Sequence, residues 1–138
     1  METYKHKVKY YETDKMGITH HSNYIRWMEE ARIDWLERIG WGFDKLEDMG
    51  MISPVVDIRC KYINSTIFND VVEIKVKLKE YKGVKLVVSY EMTNTKTGEL
   101  VAQGESKHCF TTTEGRPIVI KKQYPEFDKA LQDALEEI

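Results

Sequence analysis

The chain has 138 residues, 21 basic against 23 acidic side chains and a formal net charge of −2. A chain of this length forms one domain with a core of its own, and its interleaved charges argue against a nucleic-acid groove or a polybasic membrane surface. Because the apolar runs are far shorter than a bilayer span and the N-terminus lacks the apolar core of a signal peptide, we expect a cytoplasmic protein without a membrane span.

A strand is predicted first and a long helix second. From Tyr4 to Tyr10, aromatic and apolar side chains alternate with lysines, which is typical of a half-buried strand. Ser22 or Asn23 is the predicted N-cap of the helix, and Gly40 and Gly42 are expected to end it. Its apolar residues recur at helical spacing and predict a buried face, which comprises Tyr24, Met28, Ala31, Trp35 and Ile39.

From residue 53 onward the apolar period changes to two. The alternating segments at 56–62, 72–78, 84–92 and 100–112 predict strands with one apolar and one charged face, as in an antiparallel sheet with a wet side. Ala102 and Gly104 mark points where another group is expected to approach closely. An amphipathic helix is predicted over 125–138. The order of elements favours a single α+β domain over 1–138, with a long central helix wrapped by an antiparallel β-sheet and an extra C-terminal helix.

Asp14 lies just before the long helix, with Gly17 and the pair His20 and His21 following it. One interpretation is a turn or capping carboxylate, because Asp is common in turns. The other is chemical: unpaired N–H groups at a helix start polarise a substrate carbonyl, and a facing Asp acts as nucleophile or as general base on water. In that case Gly17 lets the backbone approach the ligand.

A metal site is disfavoured, because Asp14 with His20 and His21 matches no zinc spacing. Nothing near Cys60 or Cys109 indicates an activated thiol. We therefore expect neither a metal nor a cofactor.

The stretch from Tyr10 to Tyr24 reads Tyr-Tyr-Glu-Thr-Asp-x-x-Gly-x-x-x-His-x-x-Tyr, and Glu29, Ala31 and Arg32 follow on the helix. This pattern resembles the hotdog-fold acyl-CoA thioesterases, and most closely the 4-hydroxybenzoyl-CoA thioesterase-like group that includes the Tol-Pal-associated thioesterases. The resemblance implies a thioester hydrolase that converts an acyl-CoA to free acid and CoA. It also implies a homodimer or homotetramer with active sites at the dimer interface.

The resemblance also assigns catalytic roles. Asp14 is the expected catalytic carboxylate, and the backbone N–H of His21 is expected to polarise the thioester carbonyl. The side chains of His21 and Tyr24 would shape the site, while Gly17 would keep the turn open.

For substrate binding, the resemblance points to Arg116 and Lys121 at the CoA phosphates. Thr19-His20 replaces a more apolar pair that is common in the family, so His20 is expected to bear on acyl binding. Glu12 is a departure, because many members of the family have Asp two residues before the catalytic one. The alternative is a non-catalytic acyl-CoA-binding module or regulator on the same fold. A dehydratase is less favoured, since its His/Asp placement is not found.

Overall fold

The computed structural model describes residues 3–136. Within them the chain forms five strands and four helices, with a short 3-10 turn at Tyr10–Glu12. The strands are β1 (Tyr4–Lys7), β2 (Val55–Tyr62), β3 (Val71–Tyr81), β4 (Leu86–Asn94) and β5 (Leu100–His108). The helices are α1 (Ser22–Arg38), α2 (Phe43–Asp48), α3 (Ile120–Gln123) and α4 (Pro125–Glu136). No helix within this part of the chain is long and apolar enough to cross a membrane.

The five strands make one antiparallel sheet in the order β1-β3-β4-β5-β2. Its inner face is apolar: Ile74, Val88 and Met92 are fully buried. The outer face carries charged side chains such as Lys75 and Lys77, both exposed. This arrangement confirms the predicted antiparallel sheet with one wet face.

Helix α1 packs on the apolar face of the sheet. Trp27, Met28 and Ala31 are at most 1 % exposed, as the predicted helical stripe requires. Gly104 of β5 allows this close packing, because a Cβ there would lie 2.7 Å from Met28 Cε and 2.9 Å from the Arg59 carbonyl oxygen. The predicted α+β arrangement and the predicted close approach at Gly104 are both confirmed.

Helix α4 covers one end of the core. Phe127 and Leu131 are fully buried, and the ring of Phe127 stacks on that of Trp41 with centroids 4.7 Å apart. The predicted C-terminal helix is therefore confirmed as far as Glu136, while Ile138 lies outside the described residues.

The predicted first strand is too long. Strand β1 ends at Lys7, and Tyr10, which alternation placed on the buried face, is 75 % exposed. The reason is the 3-10 turn, in which the Glu12 amide donates a hydrogen bond to the Lys9 carbonyl. This turn changes the direction of the chain after β1. The turn redirects the residues that lead to Asp14.

Two other boundaries also differ. Val84 lies in the turn before β4, and β5 ends at His108 rather than at residue 112. Helix α1 begins at Ser22 with His21 as its N-cap, so the predicted cap is one or two residues late. At its C-terminal end, Gly40 has a φ of +89°, which confirms the predicted helix end.

Candidate active site

Residues 13–19 form a closed loop between the 3-10 turn and α1. Thr13 and Thr19 pair as an isolated antiparallel bridge, and the Asp14 amide donates to the Ile18 carbonyl at 2.8 Å. Gly17 sits at the tip with a φ of +80°, where other L-residues are strained. A Cβ at Gly17 would meet nothing within 4 Å, so the turn itself requires this glycine.

The carboxylate of Asp14 is half-buried and oriented by its own loop. Its Oδ1 accepts a hydrogen bond of 2.8 Å from the Met16 amide. Within residues 3–136, its Oδ2 accepts no hydrogen bond. One oxygen thus has the turn role that the sequence suggested, and the other is available to a ligand.

The first turn of α1 leaves one backbone donor open. The Ser22 amide donates to His20 Nδ1 at 3.2 Å, the Asn23 amide to the His20 carbonyl and the Tyr24 amide to the His21 carbonyl. In the described part of the chain, the His21 amide has no acceptor. An open N–H at the positive end of a helix is a donor for a developing oxyanion.

The carboxylate of Glu12 holds this region together. It is buried and accepts three hydrogen bonds, from His6 Nε2 (2.8 Å), the Lys9 amide (2.7 Å) and Trp27 Nε1 (2.8 Å). Burial opposes ionisation, but these hydrogen bonds, led by that of His6, outweigh it and hold the pKa of Glu12 below its usual range. Sequence reasoning noted Glu12 only as an acid near Asp14 and missed its anchoring role, because His6 and Trp27 come from separate elements.

Asn23 joins the loop to the helix. Its buried Nδ2 donates to the Glu12 carbonyl at 3.0 Å and to the His20 carbonyl at 3.1 Å. The same Glu12 carbonyl accepts from the His20 amide. Asn23 was predicted as a possible N-cap, but its side chain instead ties the two ends of the loop together.

Tyr24 is buried and contacts the loop from inside the protein. It is 3 % exposed, and its hydroxyl shares a hydrogen bond of 3.0 Å with Thr66 Oγ1, which in turn bonds to Thr19 Oγ1. Burial raises the pKa of Tyr24, so its hydroxyl stays protonated at neutral pH. Tyr24 thereby supports the loop through Thr19. Thr66, which the sequence did not single out, completes this contact.

The two histidines lie on the exposed side of the helix start. Their rings stack with centroids 4.4 Å apart. The His21 ring also lies edge-on to the ring of Tyr62, at the end of β2, with centroids 5.9 Å apart. The same Tyr62 ring contacts Tyr24. His20 and His21 therefore form an exposed aromatic wall next to the open His21 amide.

Arg116 and Lys121 lie at the other end of the sheet. The Lys121 amide donates to the Gly83 carbonyl beyond the end of β3, and Arg116 belongs to a turn that pairs with Thr111 and Thr112 after β5. The Asp14 loop instead borders the start of β3, through Ile18 and Ile67. Strand β3 has 11 residues and is therefore about 33 Å long, so a single chain does not bring these cations to Asp14.

Among residues 3–136, no group of three or more His, Cys, Asp or Glu side chains lies close enough together to hold a metal ion.

Comparison with known proteins gives consistent matches over nearly the whole chain. "Putative acyl-CoA thioesterase YneP" of Bacillus subtilis (strain 168) is 33 % identical over 129 residues, or 93 % of both chains. The crystal structure of a DHNA-CoA thioesterase from Staphylococcus aureus superimposes with a TM-score of 0.90 at 31 % identity, covering 95 % of this chain and 88 % of that one. The 4-hydroxybenzoyl-CoA thioesterase of Pseudomonas sp. (strain CBS-3) is 23 % identical over 133 residues, covering 90 % of this chain and 94 % of that one.

The fold is therefore the hotdog fold, a long helix held against an antiparallel sheet, as the resemblance implied. Residues 8–135 match the thioesterase-like superfamily, and the chain belongs to it. The predicted class of enzyme, a thioester hydrolase, is confirmed.

We predict that Glu12→Gln lowers the free energy of unfolding by about 2 kcal/mol at pH 7, since an amide cannot accept all three hydrogen bonds as a carboxylate does. Because folding lowers the pKa of Glu12, its ionised form stabilises the protein above the ordinary value of 4.5. This stabilisation is lost as the pH falls through the lowered pKa. Urea unfolding of both proteins between pH 7 and pH 3 measures the difference.

The control is Glu99→Gln, which removes an exposed carboxylate in a turn and should change stability little. If the difference in free energy of unfolding between Glu12→Gln and the original protein stays constant down to pH 3, Glu12 is not an ionised anchor.

Proposed function

We propose that this protein is an acyl-CoA thioesterase in which Asp14 and the backbone N–H of His21 act on the thioester carbonyl. The open His21 amide carries the proposal, because the neighbouring amides at the start of α1 donate within the chain. The names of the similar proteins, two of which are CoA thioesterases, supply the substrate class.

In the proposed reaction the carbonyl oxygen accepts a hydrogen bond from the His21 amide, and this bond strengthens as the oxygen becomes negative. Asp14 either attacks the carbonyl carbon or removes a proton from a water that attacks it. The C–S bond then breaks, CoA leaves as its thiolate, and one water is consumed for each acid and thiol formed. Two protein groups are enough to hydrolyse a thioester, because the thiolate is a good leaving group.

The surrounding residues supply rigidity to this arrangement. The Met16 amide fixes one oxygen of Asp14, and Asn23 fixes the distance between the loop and the helix start. His20 caps the Ser22 amide and leaves that of His21 open. The exposed rings of His20 and His21 would line the entrance for the acyl-CoA.

We expect Asp14→Asn to lower kcat/KM for acyl-CoA hydrolysis at least 100-fold. The asparagine Oδ1 still accepts from the Met16 amide, so the loop should keep its conformation and the melting temperature should hold. Thiol release from short-chain, long-chain and aromatic acyl-CoAs, together with thermal melting, provides the measurement.

The matched control is Asp48→Asn, an exposed carboxylate at the end of α2, which should keep full activity. Near-original turnover by Asp14→Asn would refute the catalytic role of Asp14. Binding of acyl-CoA without turnover in the original protein would favour the non-catalytic binding module.

A single turnover in water labelled with oxygen-18 tests whether Asp14 attacks directly. Direct attack forms an acyl anhydride, and hydrolysis at its Asp14 carboxyl carbon places label in the Asp14 side chain, which a general-base role cannot do. Label only in the released acid is the outcome of a general-base role or of water attack on the acyl carbon of the anhydride. Mass spectrometry of the peptide that contains Asp14 distinguishes the two outcomes, with peptides lacking Asp14 as the internal control.

The proposal includes a homodimer through the free edge of β2. Within the described residues that strand pairs only with β5, and an unpaired edge of eight residues is a site for strand addition. Val55, Val56 and Tyr62 along it are about half exposed. The other edge, β1, has four residues, two of them exposed lysines.

A two-fold axis would place the two β2 edges antiparallel. The start of β2 on the partner would then face Tyr62 and the His21 end of this chain. Because Arg116 and Lys121 lie at the end of the sheet where β2 starts, the partner's cations would approach the site that one chain leaves without them. This pairing supports CoA-phosphate binding across the dimer, and a tetramer would join two such pairs.

We predict that Val56→Asp, which places a charge on this edge, converts a dimer into a monomer of about 16.3 kDa and lowers activity with it. Sedimentation equilibrium and a thioesterase assay on the same samples test this. Lys7→Asp on the opposite edge is the control and should remain dimeric. A Val56→Asp protein that stays dimeric would exclude the β2 edge as the interface.

A further inference from the structure

A small cavity lies between α1 and the β2 side of the sheet, separate from the Asp14 loop. Its volume is about 110 Å³, and its walls include Ile25, Met28 and Arg32 of α1. Ile58 of β2 also lines it. Ile25 lies at its more exposed end, one helical turn after His21. The cavity therefore begins next to the proposed reaction centre and continues along α1.

The floor of the cavity is a buried polar chain. Tyr90, Ser106 and His108 all line it and are at most 3 % exposed. The Tyr90 hydroxyl bonds to Ser106 Oγ at 2.7 Å, and Ser106 Oγ bonds to His108 Nε2 at 2.6 Å. Burial, with the nearby Arg32 charge, lowers the pKa of His108 to about 3, so the ring is neutral.

The other ring nitrogen, His108 Nδ1, has no hydrogen bond within residues 3–136. The Pro54 carbonyl acts on the same ring and favours its protonated form, but burial outweighs this effect. His108 therefore adds a neutral imidazole to the polar side of the cavity.

Arg32 is the most unusual group in the wall. Its side chain is 5 % exposed, yet within residues 3–136 no carboxylate lies within 4.0 Å of it. The guanidinium lies 5.4 Å from the Phe43 ring centroid and interacts with Tyr90 through both charge and hydrogen bonding. Glu29, an exposed carboxylate in the same cavity wall, also interacts with it electrostatically. A buried cation without a counter-ion is unfavourable, and an entering anion would relieve this.

The cavity can hold only a small group. An apolar cavity of about 150 Å³ accommodates a benzene molecule, so this one has room for a carboxylate with a short length of hydrocarbon. A neutral hydroxyl would leave the Arg32 charge uncompensated, whereas a carboxylate matches the guanidinium with two parallel hydrogen bonds. Its oxygens could also accept from the Ser106 or Tyr90 hydroxyl.

The cavity lies within reach of the thioester. His21 and Arg32 are 11 residues apart on α1, or about 16 Å along its axis, and a helical side chain leans back toward the N-terminus. An acyl group whose carbonyl is at the His21 amide would pass Ile25 and enter the cavity.

We propose that Arg32 binds a second carboxylate at the far end of the acyl group, so that the enzyme prefers dicarboxylic acyl thioesters. This inference rests on the proposed function. It makes Arg32 a specificity residue and leaves the chemistry to Asp14 and His21.

The test compares kcat/KM for matched pairs of straight-chain acyl-CoAs with four to ten carbons, one of each pair carrying a terminal carboxylate. The original protein should prefer the carboxylated member at least tenfold at one or more lengths. Arg32→Met keeps the unbranched apolar stem of the side chain but removes its charge, and should bring that ratio close to one. Arg32→Lys, which retains the charge without the planar fork, should keep part of the preference.

Arg26→Met is the matched control, an exposed arginine on the same helix that does not line the cavity. It should retain the preference. A ratio of one or less at every length in the original protein would overturn the proposal, and this measurement needs no variant to fold.

If neither member of any pair is hydrolysed, and the long-chain and aromatic acyl-CoAs are not hydrolysed either, the proposed function fails. The pocket is then tested by calorimetry with the same CoA esters. Tighter binding of a carboxylated ester that Arg32→Met removes would support the carboxylate pocket, and equal binding of both members would refute it.

Discussion

The buried carboxylate of Glu12 is the interaction on which the rest of the site depends. It joins β1, through His6, to α1, through Trp27, while the backbone carbonyl of the same residue holds His20 and Asn23. Hydrogen bonds to a charged group in a low-dielectric interior are costly to break. The Asp14 loop is therefore closed at both ends, and neither its carboxylate nor the His21 amide has to be ordered when a substrate arrives.

The direction of the strands imposes a second constraint. The proposed reacting groups lie where β3 begins, whereas the expected phosphate-binding cations lie where it ends. Because an extended strand has a fixed length, one chain cannot bring the cations next to the Asp14 loop. Pairing of two β2 edges around a two-fold axis would bring opposite ends of the sheet together. The same edge borders the cavity that contains Arg32, which would place acyl recognition close to the interface.

Much of the fold could be read directly from periodicity. The stripe containing Met28 and Ala31 predicted the buried face of α1, and the alternation around Ile74 and Val88 predicted the buried face of the sheet, because each pattern reflects one solvent-facing side. The special backbone positions at Gly40 and Gly104 were also readable, since glycine is needed where a side chain would be strained or would clash. The 3-10 turn was not readable, because its local sequence continues the alternation of β1.

The sequence by itself determined the class of fold, the family and the group of residues around Asp14, since these depend on local spacing and on a motif contained in 15 residues. Only the tertiary structure decided what each polar group does. Glu12 became an anchor and Tyr24 a support because their partners, His6, Trp27 and Thr66, lie on other elements of the fold. Arg32 looked like any arginine on a helix, and its burial without a counter-ion arises only where α1 meets the sheet. Hydrogen bonding and desolvation depend on three-dimensional neighbours, and local sequence patterns do not encode them.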